Sequence, residues 1–218
     1  MVHLALWRPS LADELRVKQE GSRNNLNYAR DLVGTTKEPA AVRALAKKGW
    51  IVDSVSVKVG EGEKAYKAAR ACLQRWGHFQ LGWSNVDPRT GVSAGTVLAV
   101  TSKTLFLWNC NPLRVVYNQQ QEPPKLRLPW APRPAQSFRF AHGCLDGHML
   151  TGEESFSVEM RPDGSVWYDI LTFSKPLHPL AVGFFPLTRF FQHKFGQESA
   201  AALARAVREA TVAAAPSK

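Results

Sequence analysis

Hydrophobic and polar positions alternate through most of the middle of the chain, most clearly between Ala141 and Lys175. The pattern predicts three strands, Phe138–Cys144, Glu153–Met160 and Val166–Lys175, joined by two turns. Gly143, Asp146 and Gly147 mark the first turn. Arg161-Pro162-Asp163-Gly164 marks the second, where Pro presets φ and Gly accepts a positive one. Residues two apart on a strand share a face. Phe156, Val158 and Met160 therefore predict an apolar face that also carries Glu154, while Trp167, Leu171 and Phe173 predict a second one that carries Asp169. A carboxylate at such an inward position needs a partner, a raised pKa or water. Two readings stand: structural carboxylates hydrogen-bonded within a core, or a pair lining a pocket.

The flanking segments complete an α+β pattern. Ser10 is placed to cap a helix from Leu11, with Asp13 and Glu14 in its first turn. Pro39 opens a short helix through Lys48, and Trp50–Val59 alternates as a half-buried strand. A helix follows over Glu63–Trp76, with Ala65, Ala69, Cys72 and Trp76 on one stripe. Gly60-x-Gly62-x-x-Ala65 matches a dinucleotide-binding fingerprint in form only. The strand before it alternates, where a buried parallel strand would be continuously apolar. Glu61 and Glu63 would also confront a pyrophosphate, so a tight strand-to-helix turn is expected. Further strands are predicted over Gln80–Val86, Gly95–Ser102, Leu105–Cys110 and Leu113–Tyr117, the last two divided by Asn111-Pro112. Leu187, Phe191, Phe195, Ser199, Ala202/Leu203 and Ala206 then recur at helical spacing, a stripe long enough to cross a sheet.

The length of 218 residues suits one domain over 1–218: an N-terminal helical extension (1–48), a proline-rich basic insertion (119–136) and a frayed tail (211–218). A net charge of +10 favours acidic partners. Within the insertion, Lys125, Arg127 and Arg133 surround Trp130, as a partner- or membrane-contacting loop or a packed insertion would have them. No aromatic-basic RNA motif accompanies them, so nucleic acid is disfavoured. Cys72, Cys110 and Cys144 suggest neither a disulfide framework nor a zinc site, and a reducing, intracellular compartment is expected. The start of the chain lacks the pattern of a secretory signal, and no run approaches the roughly 20 apolar residues of a spanning helix.

The order strand, helix, antiparallel strands, long final helix resembles the helix-grip fold of the START-like and birch-pollen-allergen-like superfamily. More closely, the chain resembles the plant and bacterial "domain of unknown function nineteen-ninety" family. The signposts are Asn27-Tyr28, Val33-Gly34-Thr35-Thr36, Val59-Gly60-Glu61-Gly62, Trp76-x-x-Phe79-x-x-Gly82-Trp83, Asn111-Pro112-x-Arg114-Val115-Val116-Tyr117, Gly147-His148, Gly152-Glu153-Glu154-x-Phe156, Val166-Trp167-Tyr168-Asp169-Ile170 and Gln192-x-x-Phe195. The family usually has Tyr-Gly-Thr-Leu where this chain has His142-Gly143-Cys144-Leu145. The resemblance implies a curved sheet wrapped around the last helix and no established catalytic residue. It also implies, through plant relatives, association with the chloroplast outer envelope and a pore-forming role there.

Function is expected to be non-enzymatic. A lipid or other hydrophobic or amphipathic small ligand would occupy a sheet–helix cavity, with Glu154, Phe156, Trp167, Asp169 and Phe191 as candidate contacts. An anionic membrane surface is a second expected partner, and oligomeric state is left open. The alternatives are the envelope pore and an enzyme using Glu154 and Asp169 as an acid/base pair. His142, Asp146, His148, Glu153 and Glu154 fit no standard metal-ligand spacing, and no cofactor or metal is expected.

Overall fold

The computed structural model describes residues 3–122 and 135–213. One antiparallel sheet is built from β1 (His3–Ala5), β2 (Ile51–Glu61), β3 (Ser84–Asn85), β4 (Val97–Thr104), β5 (Leu107–Gln121), β6 (Gln136–Cys144), β7 (Leu150–Met160) and β8 (Ser165–Pro176). Their order is β2-β8-β7-β6-β5-β4-β3, with β1 paired to β5. Helices α1 (Leu11–Arg23) and α2 (Pro39–Leu45) pack on the convex face. Helices α3 (Gly62–Gln74), α4 (Pro179–Gly183) and α5 (Phe185–Val212) occupy the concave side, where the sheet curls around α5.

Local chemistry sets the helix starts. The Ser10 hydroxyl accepts from the Asp13 amide at 3.3 Å while the Asp13 carboxylate accepts from the Ser10 amide at 2.9 Å, a reciprocal cap. Gly62 opens α3 at φ +76°, donating its N–H to the Gly164 carbonyl at 2.8 Å. Because β2 pairs antiparallel with β8, the Gly60/Gly62 passage is a tight turn and not a nucleotide cradle. α5 is tied down by a Tyr168–Ser199 hydroxyl pair at 2.7 Å and a two-armed Arg189–Asp53 ion pair at 2.6 and 2.7 Å. The main core lies between sheet, α3 and α5, with Trp76, Phe138, Phe140, Phe156, Tyr168 and Leu203 fully buried.

Among the boundaries that differ from the sequence reading, three change the architecture around the sheet. Gln80–Val86 yields only the two-residue β3; a 3-10 turn over Gly77–Phe79 and a positive φ at Gly82 bend the chain away from extension. Pro112 does not divide a strand. It lies inside β5 where that strand exchanges β1, paired through Cys110, for β6, paired from Leu113, so no neighbour needs its missing N–H. The predicted insertion is shortened, because Gln119–Gln121 belong to β5 and Gln136 opens β6. Lys125, Arg127, Trp130 and Arg133 lie outside the described residues.

The N-terminal segment is locked to the convex face by Glu153, which is 2% exposed. Its carboxylate accepts from the Tyr28 hydroxyl (2.9 Å), the Gly34 amide (2.7 Å), the Thr36 amide (3.1 Å) and the Thr36 hydroxyl. Tyr28 lies over Gly143, where a Cβ would stand 2.3 Å from the tyrosine oxygen, so only glycine fits beneath the ring. Nearby, one Arg114 nitrogen donates to the carbonyls of Gly21, Ser22 and Asn24 at the end of α1. Removing the acceptor shared by four buried hydrogen bonds strands their donors, so Glu153→Ala is expected to cost about 3 kcal/mol or more in urea unfolding. Tyr28→Phe, which removes one donor, should cost only about 1 kcal/mol. Equal small effects of the two variants would contradict the lock.

Candidate functional site

Strand pleating places a polar row across the concave face. Asp53 on β2 stands opposite Thr172 on β8, Thr172 opposite Glu154 on β7, and Glu154 opposite His142 on β6. Directly opposed residues of antiparallel strands share a face, so the four side chains form one line under α5. All four border a cavity of about 550 Å³ between the sheet and α4/α5. Its walls are mostly apolar: Val55, Val100, Leu113, Ile170, Leu187 and Phe195 are among them.

The His142 end of the row is buried. His142 is 4% exposed and sits among Trp76, Phe79 and Phe156, with ring centroids 5.4 to 6.2 Å away. Among the described residues, neither of its ring nitrogens has a hydrogen-bond partner, and its Nε2 lies 3.8 Å from Glu154 Oε2. Burial, then the neighbouring His148, lowers the His142 pKa to about 3. Burial, then the Asp53 carboxylate, raises Glu154 to about 8, although its side chain keeps 23% exposure where it borders the cavity. At neutral pH both groups are therefore uncharged. Behind them His78 is completely enclosed, 4.6 Å from the Phe156 ring, and burial holds it well below the ordinary imidazole range.

The candidate contacts fall into three groups. Glu154 and Phe191 border the cavity. Phe156 shares the concave face but is sealed within the core beneath it. Trp167 and Asp169 point the other way. Asp169 stands opposite Ser157, and Ser157 is three residues from Glu154, so the two carboxylates occupy opposite faces of the sheet. This corrects the expected inward pair and removes Glu154 with Asp169 as an acid/base couple. The inner residues of β8 are Val166, Tyr168 and Ile170, all in the main core, while Phe173 and Leu171 pack under the N-terminal segment. Trp167 instead lies beneath the Arg161 guanidinium, 4.1 Å from the ring centroid, and donates its indole N–H to Ser165 at 2.9 Å.

The five residues weighed as metal ligands also separate. Glu153 is on the convex face, the Asp146 carboxylate accepts from the Asn25 amide at 3.4 Å, and His148 Nδ1 accepts from the Leu150 amide at 2.8 Å. Among the described residues no three His, Cys, Asp or Glu side chains converge as a metal site. The row itself carried a sequence signal that face assignment alone missed. The Arg161–Gly164 turn sets Met160 opposite Val166, and counting back along both strands pairs Glu154 with Thr172.

An antiparallel sheet curled around a long final helix, with a cavity between them, defines the helix-grip class of α+β domain. The chain belongs to the family described as Domain of unknown function (DUF1990), whose model matches residues 33–202. It is similar to the UPF0548 protein At2g17695 of Arabidopsis thaliana, 33% identical over 212 residues that cover 95% of this chain and 98% of the relative. A UPF0548 protein of Deinococcus radiodurans is 29% identical over 183 residues, covering 74% of this chain and 85% of the relative. Among solved structures, Ara h 8.0201 aligns at a TM-score of 0.43 with 13% identity, covering 74% of this chain and 99% of that one. No helix among the described residues is long and apolar enough to cross a membrane.

The shift of Glu154 makes stability depend on pH with a definite sign. The folded state keeps a proton that the unfolded chain releases above about 4.5, so this group removes stability as pH rises from about 4.5 to about 8. Glu154→Gln keeps the shape without the charge. It should match the wild type at pH 4.5 and exceed it by on the order of 3 kcal/mol at pH 8 in urea unfolding. A difference between the two proteins that is the same at both pH values would contradict the assignment.

Proposed function

We propose that this domain binds a hydrophobic or amphipathic small molecule in the cavity between sheet and α5, without transforming it. The observation that carries the reading is the cavity itself: about 550 Å³, walled largely by aliphatic and aromatic side chains, with the row of Asp53, Thr172, Glu154 and His142 along its floor. That volume falls within the roughly 300–1,000 Å³ of small-molecule sites, which are mostly apolar with a few placed polar groups. The Asp53 carboxylate is taken up by Arg189, and both His142 and Glu154 are uncharged at neutral pH. The neutral fluorophore N-phenyl-1-naphthylamine is expected to bind saturably at one site per chain. Val100→Phe, which fills part of the cavity from β4, should weaken it by about tenfold or more with unfolding unchanged to within about 1 kcal/mol. Absence of saturable binding, or indifference to the substitution, would overturn the reading.

One further observation favours contact with a membrane surface, as expected for loading an apolar ligand. The cavity opens between the tip of the β4–β5 hairpin and the α4–α5 junction, where Leu105, Phe106, Leu180 and Phe184 border it with their side chains exposed. Phe106 is 67% exposed and Phe184 61%. Clustered exposed apolar side chains mark interaction sites. Arg8 and Lys103 both lie over the Trp108 ring, and Lys103 pairs with Trp108 one step from the tip of the same hairpin, which puts positive charge close to the apolar rim. The protein should sediment with vesicles containing phosphatidylglycerol in preference to pure phosphatidylcholine. Replacing both Phe106 and Phe184 with Ser should lower that binding about tenfold. Equal indifference to both vesicle types would rule the contact out.

A further inference from the structure

Most polar groups bordering the cavity already have partners. Asn111 donates its amide to Asn109 Oδ1 at 2.6 Å, and Ser102 donates to the same oxygen at 2.7 Å. Asn111 Oδ1 accepts from the Met149 amide at 3.3 Å. Thr188 donates to the Ala181 carbonyl at 3.2 Å, and Gln192 is shared between Ser174 (3.0 Å) and Arg189 (2.7 Å). Both Asp53 oxygens are held by Arg189. Within the row on the cavity floor, His142 and Glu154 have no side-chain hydrogen bond among the described residues. Neither imidazole nitrogen has a partner among the described residues, and the 3.8 Å between His142 Nε2 and Glu154 Oε2 is too long for a hydrogen bond. It is the right span for one oxygen atom placed at hydrogen-bonding distance, about 2.7–3.0 Å, from both.

We infer that His142 and Glu154, with Thr172 beside them, form a head-group site that selects an uncharged hydroxyl on an otherwise apolar ligand. This rests on the cavity-binding reading above and specifies its ligand class. A hydroxyl both donates and accepts, so it satisfies a neutral imidazole in either tautomer together with a carboxylic acid. Among the described residues an anionic head group finds no free cation bordering the row, because Arg189 is committed to Asp53, and it would be buried alongside two acids. An ammonium head must lose its own hydration and also strip the proton from Glu154. The groups facing Glu154 are His142 and Cys144 on β6, His148 in the following turn, Thr172 on β8, Asp53 on β2 and Arg189 with His193 on α5. Burial pushes the Cys144 thiol upward and His142 and His148 down to about 3 and 4, whereas Glu154, raised to about 8, changes charge between pH 7 and 9.

The test is competition against N-phenyl-1-naphthylamine by decane, decan-1-ol, decanoate and decylammonium, which share one apolar body. At pH 6.5 the alcohol is expected to bind about tenfold more tightly than either ion, the effect of one or two net hydrogen bonds. Glu154→Leu should bring the alcohol to within twofold of decane. Glu154→Gln, which keeps a donor and an acceptor, should preserve the alcohol's advantage. Raising the pH to 9 should improve decylammonium relative to the alcohol about fivefold in the wild type and leave Glu154→Gln unchanged. Decanoate or decylammonium matching the alcohol at pH 6.5, or a Gln variant that keeps the pH response, would overturn the head-group site. Failure of all four compounds, decane included, to displace the fluorophore would instead count against the cavity reading itself.

Discussion

Glu153 joins segments of the chain more than 100 residues apart, and the phase of the whole sheet follows from it. Its carboxylate collects four donors from Tyr28, Gly34 and Thr36, all on the convex side of β7. Once Glu153 is fixed outward, the pleat sends Glu154 inward, because successive side chains on a strand alternate. A slip of one residue would expose Glu154 and bury Glu153 among apolar rings, forfeiting all four hydrogen bonds. The N-terminal segment therefore does more than cover the sheet. It sets which residues of β6, β7 and β8 form the cavity floor.

The two neighbouring acids solve the problem of burial in different ways. Glu153 is surrounded by donors, whereas Glu154 has none within hydrogen-bonding distance among the described residues and keeps its proton instead. The same holds for the imidazoles: enclosed among Trp76, Phe79 and Phe156, His78 and His142 stay neutral. The interior is thus polar without being charged. The ion pair of Asp53 with Arg189 lies where β2 meets α5 and holds the helix over the cavity. That combination suits an apolar guest with one hydrogen-bonding group.

Much of this architecture was legible in the sequence where a segment has a single buried face. The cap at Ser10, the strand-to-helix turn at Gly60–Gly62, the hairpin at Arg161–Gly164 and the inward face of Glu154, Phe156 and Val158 all stand in the structure as the pattern implies. β8 defeated the same logic because both its faces are covered: Val166, Tyr168 and Ile170 by the main core, Leu171 and Phe173 by the N-terminal segment. Alternation then gives no sign of which apolar set is inward, and Asp169 was assigned to the wrong one. The pairing of His142 with Glu154 depends on contacts across strands, which the residue order encodes only through turn register. The hydrophobic rim was hidden for another reason. Leu105 and Phe106 read as strand residues, but they form the hairpin tip, with Leu105 at φ +56°.

The cavity floor holds two titratable groups that stay uncharged at neutral pH. NMR titration of the Glu154 carboxyl carbon and the His142 ring nitrogens between pH 3 and 10 reads this property at both groups. The carboxyl is expected to titrate near 8 and the imidazole to stay neutral down to about pH 4. Midpoints near the ordinary values of 4.5 and 6.5 would contradict it, because they would mean that water reaches the row as freely as the protein surface.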